Sequence, residues 1–245
     1  MMDESDLNAA GTRMYEMASD LFPICRSLTG DGVRQTLLEV AKRLPIDVHE
    51  VATGTDVLDW QVPPEWNIRD AYIANGDGKR IVDFQESNLH VVNYSIPIDK
   101  TVTLTELKEH VFTIPELPTT IPYVTSYYSK NWGFCMAHKQ FKNLKDTMYK
   151  VVIKSTLENG YLTYGEFFVQ GKSNQEILLS TYICHPSLCN DNLSGIVLAT
   201  LLAKYLQNFK LKYSIRFLFI PETIGAITWL SKNKKNLSKI KHGLV

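Results

Sequence analysis

The stretch from Ile177 to Tyr205 constrains the fold of this chain more than any other. Ile177 to Ile183 is a short, nearly continuous apolar run, as expected of a strand buried on both faces. It stops at Cys184-His185-Pro186, because a proline has no N–H to donate to a ladder. A polar loop, Ser187 to Asn192, follows. The apolar segment from Leu193 to about Phe209 is too long for a strand and apolar nearly all round, which predicts a buried helix. Strand, polar loop and helix place His185 at a strand's carboxyl end and Asp191 at a helix's start. Ligands of open α/β sheets sit at that edge.

A second core strand is predicted over Tyr213 to Ile220, running into Pro221-Glu222-Thr223-Ile224-Gly225 and a helix that begins at Ala226. It too delivers an ionisable residue at its carboxyl end. Upstream, apolar spacing predicts helices over Leu7–Leu21 and Val33–Leu44, and alternation predicts a half-exposed strand over Ile46–Val51. The character changes at Asp59-Trp60-Gln61-Val62-Pro63-Pro64. Beyond it come a hairpin signal at Asn75-Gly76-Asp77-Gly78, a strand over Leu89–Tyr94 and a short helix over Thr103–His110 with a capping box from Thr103 to Glu106. An extended proline-rich run over Ile114–Pro122 and a second hairpin signal at Glu158-Asn159-Gly160 complete this part. The expected organisation is an α/β core formed by residues 1–58 and 151–245, interrupted by a small β-rich domain at 59–150.

Charge gives no case for a phosphate-rich partner, since 26 basic residues balance 26 acidic ones; no nucleic-acid partner is expected. No run of about 18 apolar residues exists to span a membrane, and the acidic start Met-Met-Asp-Glu-Ser-Asp does not read as a signal peptide. The four cysteines, 25, 135, 184 and 189, read as a reduced set. Together these features lead us to expect a cytoplasmic protein. Apolar residues resume at Ile240 and the sequence stops at Val245, which reads as a truncated frame.

His185, Asp191 and Glu222 are the residue types that metal-assisted hydrolysis uses. An imidazole and a carboxylate from one strand–loop–helix unit can hold zinc in an N/O site, and a carboxylate on the neighbouring strand end can act as general base. Asp191 could equally cap the helix that follows it, and Glu222 could be an acid favoured at a helix start. Cys184 and Cys189 flank the motif without a second pair at zinc-finger spacing and read as small buried residues. Ser194 lacks the Gly-x-Ser-x-Gly context of a hydrolase elbow.

Asn190-Asp191-Asn192-Leu193-Ser194-Gly195 resembles the Asn-Asp-Asn-x-Ser-Gly signature of the co-catalytic zinc aminopeptidases. The blocks 25–32, 59–73, 123–128, 132–135, 184–187 and 221–225 together are similar to a narrower group, the aminopeptidase-like proteins labelled as polysaccharide-biosynthesis proteins. The resemblance implies an α/β, three-layer zinc-aminopeptidase-like core with a small inserted β domain. It also implies His185 and Asp191 as metal ligands, and Glu222 as the base. It implies Arg26, Arg69 and Tyr127 as substrate contacts. Two departures stand out: Pro186-Ser187 replaces the orienting aspartate that follows the ligand histidine, and Thr223 replaces the second glutamate of a Glu-Glu-x-Gly motif.

These departures favour one zinc ion over two, with the remaining ligands expected beyond Val245 and weak or no turnover expected of this chain alone. The implied function is zinc-dependent hydrolysis of an amide bond in a peptide or other small molecule. Two alternatives are an amidohydrolase acting on N-acylated sugars and a scaffold that has lost catalysis.

Overall fold

The computed structural model describes residues 4–245. The chain opens with α1 (Glu4–Leu21) and α2 (Asp31–Ala41), then β1 (Asp47–Ala52) and a two-strand ladder, β2 (Asp56–Val57) with β3 (Trp60–Gln61). There follow β4 (Glu65–Ala74), β5 (Arg80–Asp83), β6 (Ile98–Thr103), α3 (Leu104–Glu109), β7 (Val111–Phe112), β8 (Phe134–Cys135), α4 (His138–Lys142) and β9 (Met148–Glu158). The last third holds β10 (Tyr161–Val169), β11 (Ser173–Tyr182), α5 (Ser194–Leu206), β12 (Tyr213–Ile220), α6 (Ile224–Lys232) and β13 (Ile240–Leu244). No helix among the described residues is long and apolar enough to cross a membrane.

Two compact units emerge: one from the segments up to Glu65 and from Asn159 onward, the other Trp66–Glu158. The sequence placed these joins at 58/59 and 150/151, several residues too early on both sides. Long strands carry the chain into and out of the second unit. Glu65 belongs to the first unit, since its carboxylate pairs with Arg34 and accepts the Tyr161 amide at 2.9 Å. The Asn159-Gly160 signal is likewise no hairpin: β9 pairs within the second unit's sheet and β10 within the first's. Gly160 is needed because a Cβ there would lie 2.3 Å from Glu65 Oε2.

The first unit is built on a five-stranded mixed sheet in the order β1-β10-β12-β11-β13. β11 runs parallel to β12 and β13, whereas β1 and β10 are antiparallel to their neighbours. Alternation along β12 divides the two faces. Ile215, Phe217 and Phe219 join Met17 and Leu21 of α1, Val33, Leu37 and Val40 of α2, and Ile196, Val197 and Ala203 of α5 in one core. The opposite face carries Arg216, whose guanidinium bridges Glu166 at 2.7 Å and Glu176 at 2.8 Å. The indole N–H of Trp229, from α6, donates to Glu166 at 2.7 Å. Helices on both faces of one sheet make a three-layer α/β unit. α5 is less buried than its composition predicts, with Leu198 54% exposed.

The second unit has a four-stranded sheet, β5-β4-β9-β6, around a core that includes Ile73, Val102, Leu107, Trp132, Phe134 and Val151. The Asn75–Gly78 hairpin forms as the turn residues require, joining β4 to β5. The side-chain oxygen of Thr103 accepts the Glu106 amide at 3.2 Å, starting α3. Residues expected as a strand over Leu89–Tyr94 are instead a 3₁₀ turn, Asn88–His90, with single bridges from Val91 and Asn93. The segment 114–122 turns rather than extends, with Leu117 and Thr120 amides bonded to carbonyls three residues back.

The Arg216 cluster generates a stability prediction. Glu166 and Glu176 are 8% and 4% exposed, so removing the guanidinium strands two buried carboxylates. Arg216→Met should lower unfolding free energy by about 3–5 kcal/mol, read from urea denaturation midpoints. A loss below about 1 kcal/mol, the size typical of an exposed pair, would show that the cluster does not anchor this face.

Candidate metal centre

The register of β11 on β12 builds the site. Tyr182 lies opposite Ile220, and the Ile183 amide adds one further bond to the Ile220 carbonyl at 3.0 Å. Three residues on from Tyr182 comes His185, and two on from Ile220 comes Glu222. The parallel pairing therefore delivers both side chains to the same sheet edge. His185 Nε2 is 3.2 Å from Glu222 Oε2. The imidazole is buried, 7% exposed, whereas the Glu222 side chain is 40% exposed, so the carboxylate can reach solvent while the ring is held.

The backbone beneath His185 is fixed by Arg26. This arginine is fully buried, and its guanidinium donates to the His185 carbonyl at 2.8 Å and to the Leu21 carbonyl at 2.7 Å. Sequence resemblance assigned Arg26 to substrate. Its burial and its two carbonyl partners give it another duty, tying the end of α1 to the strand end. Arg69 is exposed on β4, and the Tyr127 hydroxyl bonds that of Tyr123 at 2.8 Å. Both belong to the second unit.

Asp191 sits in the irregular turn Cys189–Leu193 that precedes α5, its backbone outside helical geometry at φ −130°, ψ 79°. The Asp191–Asn192 peptide is cis. Capping of α5 falls to Asn192, not Asp191: its Oδ1 accepts the Gly195 amide at 3.2 Å and its Nδ2 donates to Thr181 Oγ1 at 2.8 Å. Gly195 is obligatory for this, because a Cβ would lie 2.2 Å from Asn192 Oδ1. Asp191 is thus spared for other work, with its Oδ1 3.9 Å from His185 Nδ1 and its side chain 66% exposed.

Two further groups belong to the centre: Cys184, which the sequence marks only as a small buried residue, and Tyr182. Cys184 is buried; its sulfur accepts the Glu222 amide at 3.1 Å and lies 3.6 Å from His185 Nδ1. Burial, with Glu222 nearby, pushes its thiol up to about 12. Tyr182 has its ring 6.3 Å from that of His185, and burial, then the charges of Glu222, Cys184 and Asp191, raise its phenol. The apolar–polar order of β11 predicts a strand but not that its last tyrosine faces the site. Cys189, expected to be buried, is exposed.

The donor set suits zinc. Cys184, His185 and Glu222 each offer a ligand atom within 4.8 Å of the others, and thiolate, imidazole and carboxylate are the groups that bind this ion. Thr223, where the resemblance led us to look for a second carboxylate, is exposed and has φ 53°, ψ −78°. That is close to the strained γ-turn with positive φ, in a β-branched residue that resists it.

Relief of this strain is testable. Thr223→Gly should raise stability by about 1 kcal/mol, measured by thermal or urea unfolding. A fall in stability would mean that the threonine side chain is needed where it stands.

Comparison with known proteins agrees with this architecture. The family described as Domain of unknown function (DUF4910) matches residues 15–245. The chain is 56% identical over 235 residues to a Clostridium acetobutylicum protein described as a candidate polysaccharide biosynthesis protein with an aminopeptidase-like domain, covering 96% of this chain and 54% of that one. A crystal structure of a candidate peptidase from Clostridium acetobutylicum superposes with a TM-score of 0.94 at 55% identity, over 97% of this chain and 56% of the other. The chain therefore spans about half the length of these relatives. A zinc aminopeptidase from Bacillus subtilis (TM-score 0.60, 12% identity, covering 95% of this chain and 67% of its own) and a Peptidase M28 precursor from Shewanella amazonensis (TM-score 0.59, 10% identity, 95% and 70%) share the fold. The chain has an aminopeptidase-like α/β fold and belongs to the DUF4910 family.

Proposed function

We propose that this chain supplies the metal-binding and proton-transferring part of a zinc-dependent amide hydrolase of aminopeptidase type. The observation that carries the reading is the convergence of His185, Glu222 and Asp191 at one sheet edge, with His185 buried and both carboxylates open to solvent. His185 and Asp191 would hold one zinc ion. When bound, zinc polarises a carbonyl and lowers the pKa of water.

The chain's own residues account for the rest. Glu222 is half-exposed beside the imidazole and can take a proton from water and return it to the leaving amine. Arg26 keeps the His185 carbonyl, and with it the ring, in place. Asn192 fixes the loop from which Asp191 projects. Tyr182 presents a phenol at the same edge, able to donate a hydrogen bond to a substrate oxygen. The substrate class is a peptide or another small amide; a cytoplasmic setting is part of the proposal. The polysaccharide-biosynthesis description of the Clostridium acetobutylicum relative motivates a second reading in which the amide is that of an N-acylated sugar.

The test uses a full-length relative carrying the equivalents of His185→Ala, Asp191→Ala and Glu222→Gln. Bound zinc, read by elemental analysis, should fall in the first two and persist in the third. Hydrolysis of aminoacyl anilides should drop about 10²- to 10⁴-fold in the Glu222→Gln protein. Turnover of N-acyl sugars alone would select the second reading. Metal content indifferent to both alanine substitutions, or turnover indifferent to Glu222→Gln, would sink the hydrolase assignment.

A further inference from the structure

We infer that Cys184 is a metal ligand, so that the centre is a mixed thiolate–imidazole–carboxylate site rather than an N/O site. This deepens the zinc reading above and rests on it. Three observations support it. The Cys184 sulfur stands 3.6 Å from His185 Nδ1; two donors bound to one tetrahedral zinc at about 2.3 Å (sulfur) and about 2.0–2.1 Å (nitrogen) are separated by about 3.6 Å. Asp191 Oδ1 is 3.9 Å from the same nitrogen, close to the nitrogen–oxygen edge of about 3.4 Å that the same bond lengths give. The thiol and the Asp191 carboxylate thus both approach Nδ1, while Nε2 looks to Glu222.

The third observation is the amide of Glu222, which donates to the sulfur at 3.1 Å. Hydrogen-bonded outer partners of this kind orient ligands at metal sites generally. On binding, the S–H proton leaves to solvent and the sulfur lone pair forms the metal bond; no oxidant or reductant is involved. The arrangement also explains how a ligand histidine is oriented without the aspartate that Pro186-Ser187 replaces. The Arg26 guanidinium, bonded to the His185 carbonyl at 2.8 Å, holds the histidine's backbone instead.

Adjacent residues of a strand point to opposite faces, which argues against Cys184 and His185 sharing a ligand. The pairing nevertheless forms because β11 ends at Tyr182. Beyond it the backbone leaves the pleat, and the side chains of 184 and 185 gather on one side.

Cobalt(II) titration of the Cys189→Ser chain tests the inference, the exposed cysteine being removed so that it cannot contribute. Coordination by Cys184 should give a thiolate-to-cobalt charge-transfer band in the near ultraviolet. In the Cys184→Ser, Cys189→Ser protein that band should vanish and cobalt affinity should fall by at least about tenfold, the smallest loss seen when even an outer partner of a ligand is removed. A band that persists without Cys184, or cobalt bound with visible d–d absorption and no charge-transfer band, would overturn the inference while leaving the zinc reading intact. No cobalt binding at all would overturn both. X-ray absorption at the zinc edge of the Cys189→Ser protein needs no change at Cys184. One sulfur neighbour at about 2.3 Å is expected; a shell of nitrogen and oxygen alone would refute the thiolate.

Discussion

The parallel pairing of β11 with β12 is the constraint on which the rest of the candidate centre depends. With Tyr182 opposite Ile220, the two strand ends release Cys184-His185 and Pro221-Glu222 side by side. A slip of one residue would turn each strand's side chains to the other face, moving Phe217 and Phe219 out of the helical core and the Arg216 guanidinium into it. Core packing on one face and the Arg216–Glu166–Glu176 cluster on the other therefore hold the register, and the register holds the site. Stability and chemistry share one cause here.

The loops that leave those strands are fixed by polar contacts rather than by apolar packing. Arg26 bonds the His185 carbonyl from within the fold. Asn192 bridges Thr181 to the first turn of α5. Cys184 sulfur receives the Glu222 amide, linking the two strand ends directly. Such preorganisation matters because a metal centre or a general base works only within a few tenths of an ångström of its productive position. The strained backbone of Thr223 lies next to Glu222, where stored strain is commonly found near functional groups.

Much of this was legible in the sequence because it rests on local signals. The apolar runs at 177–183 and 213–220 predict strands, the proline after each predicts their ends, and the polar residues just past them predict the edge where ligands collect. What was not legible depends on contacts between distant segments. Nothing in the spacing of Cys184 and Cys189 shows that the first is buried beside His185 Nδ1 and the second exposed. Arg26 gives no local sign that it ends on a carbonyl 159 residues away. Asn159-Gly160 has the composition of a hairpin turn, yet the strands it joins belong to different sheets. Turn chemistry reports local conformation, and pairing is decided elsewhere.

Whether these strand ends converge on a cation is the central claim, and anomalous diffraction answers it most directly. Crystals of this chain soaked in zinc should show, in data collected on either side of the zinc edge, one peak within bonding distance of His185 and Asp191. A peak only at surface carboxylates away from the ends of β11 and β12, or no peak at all, would contradict the assignment.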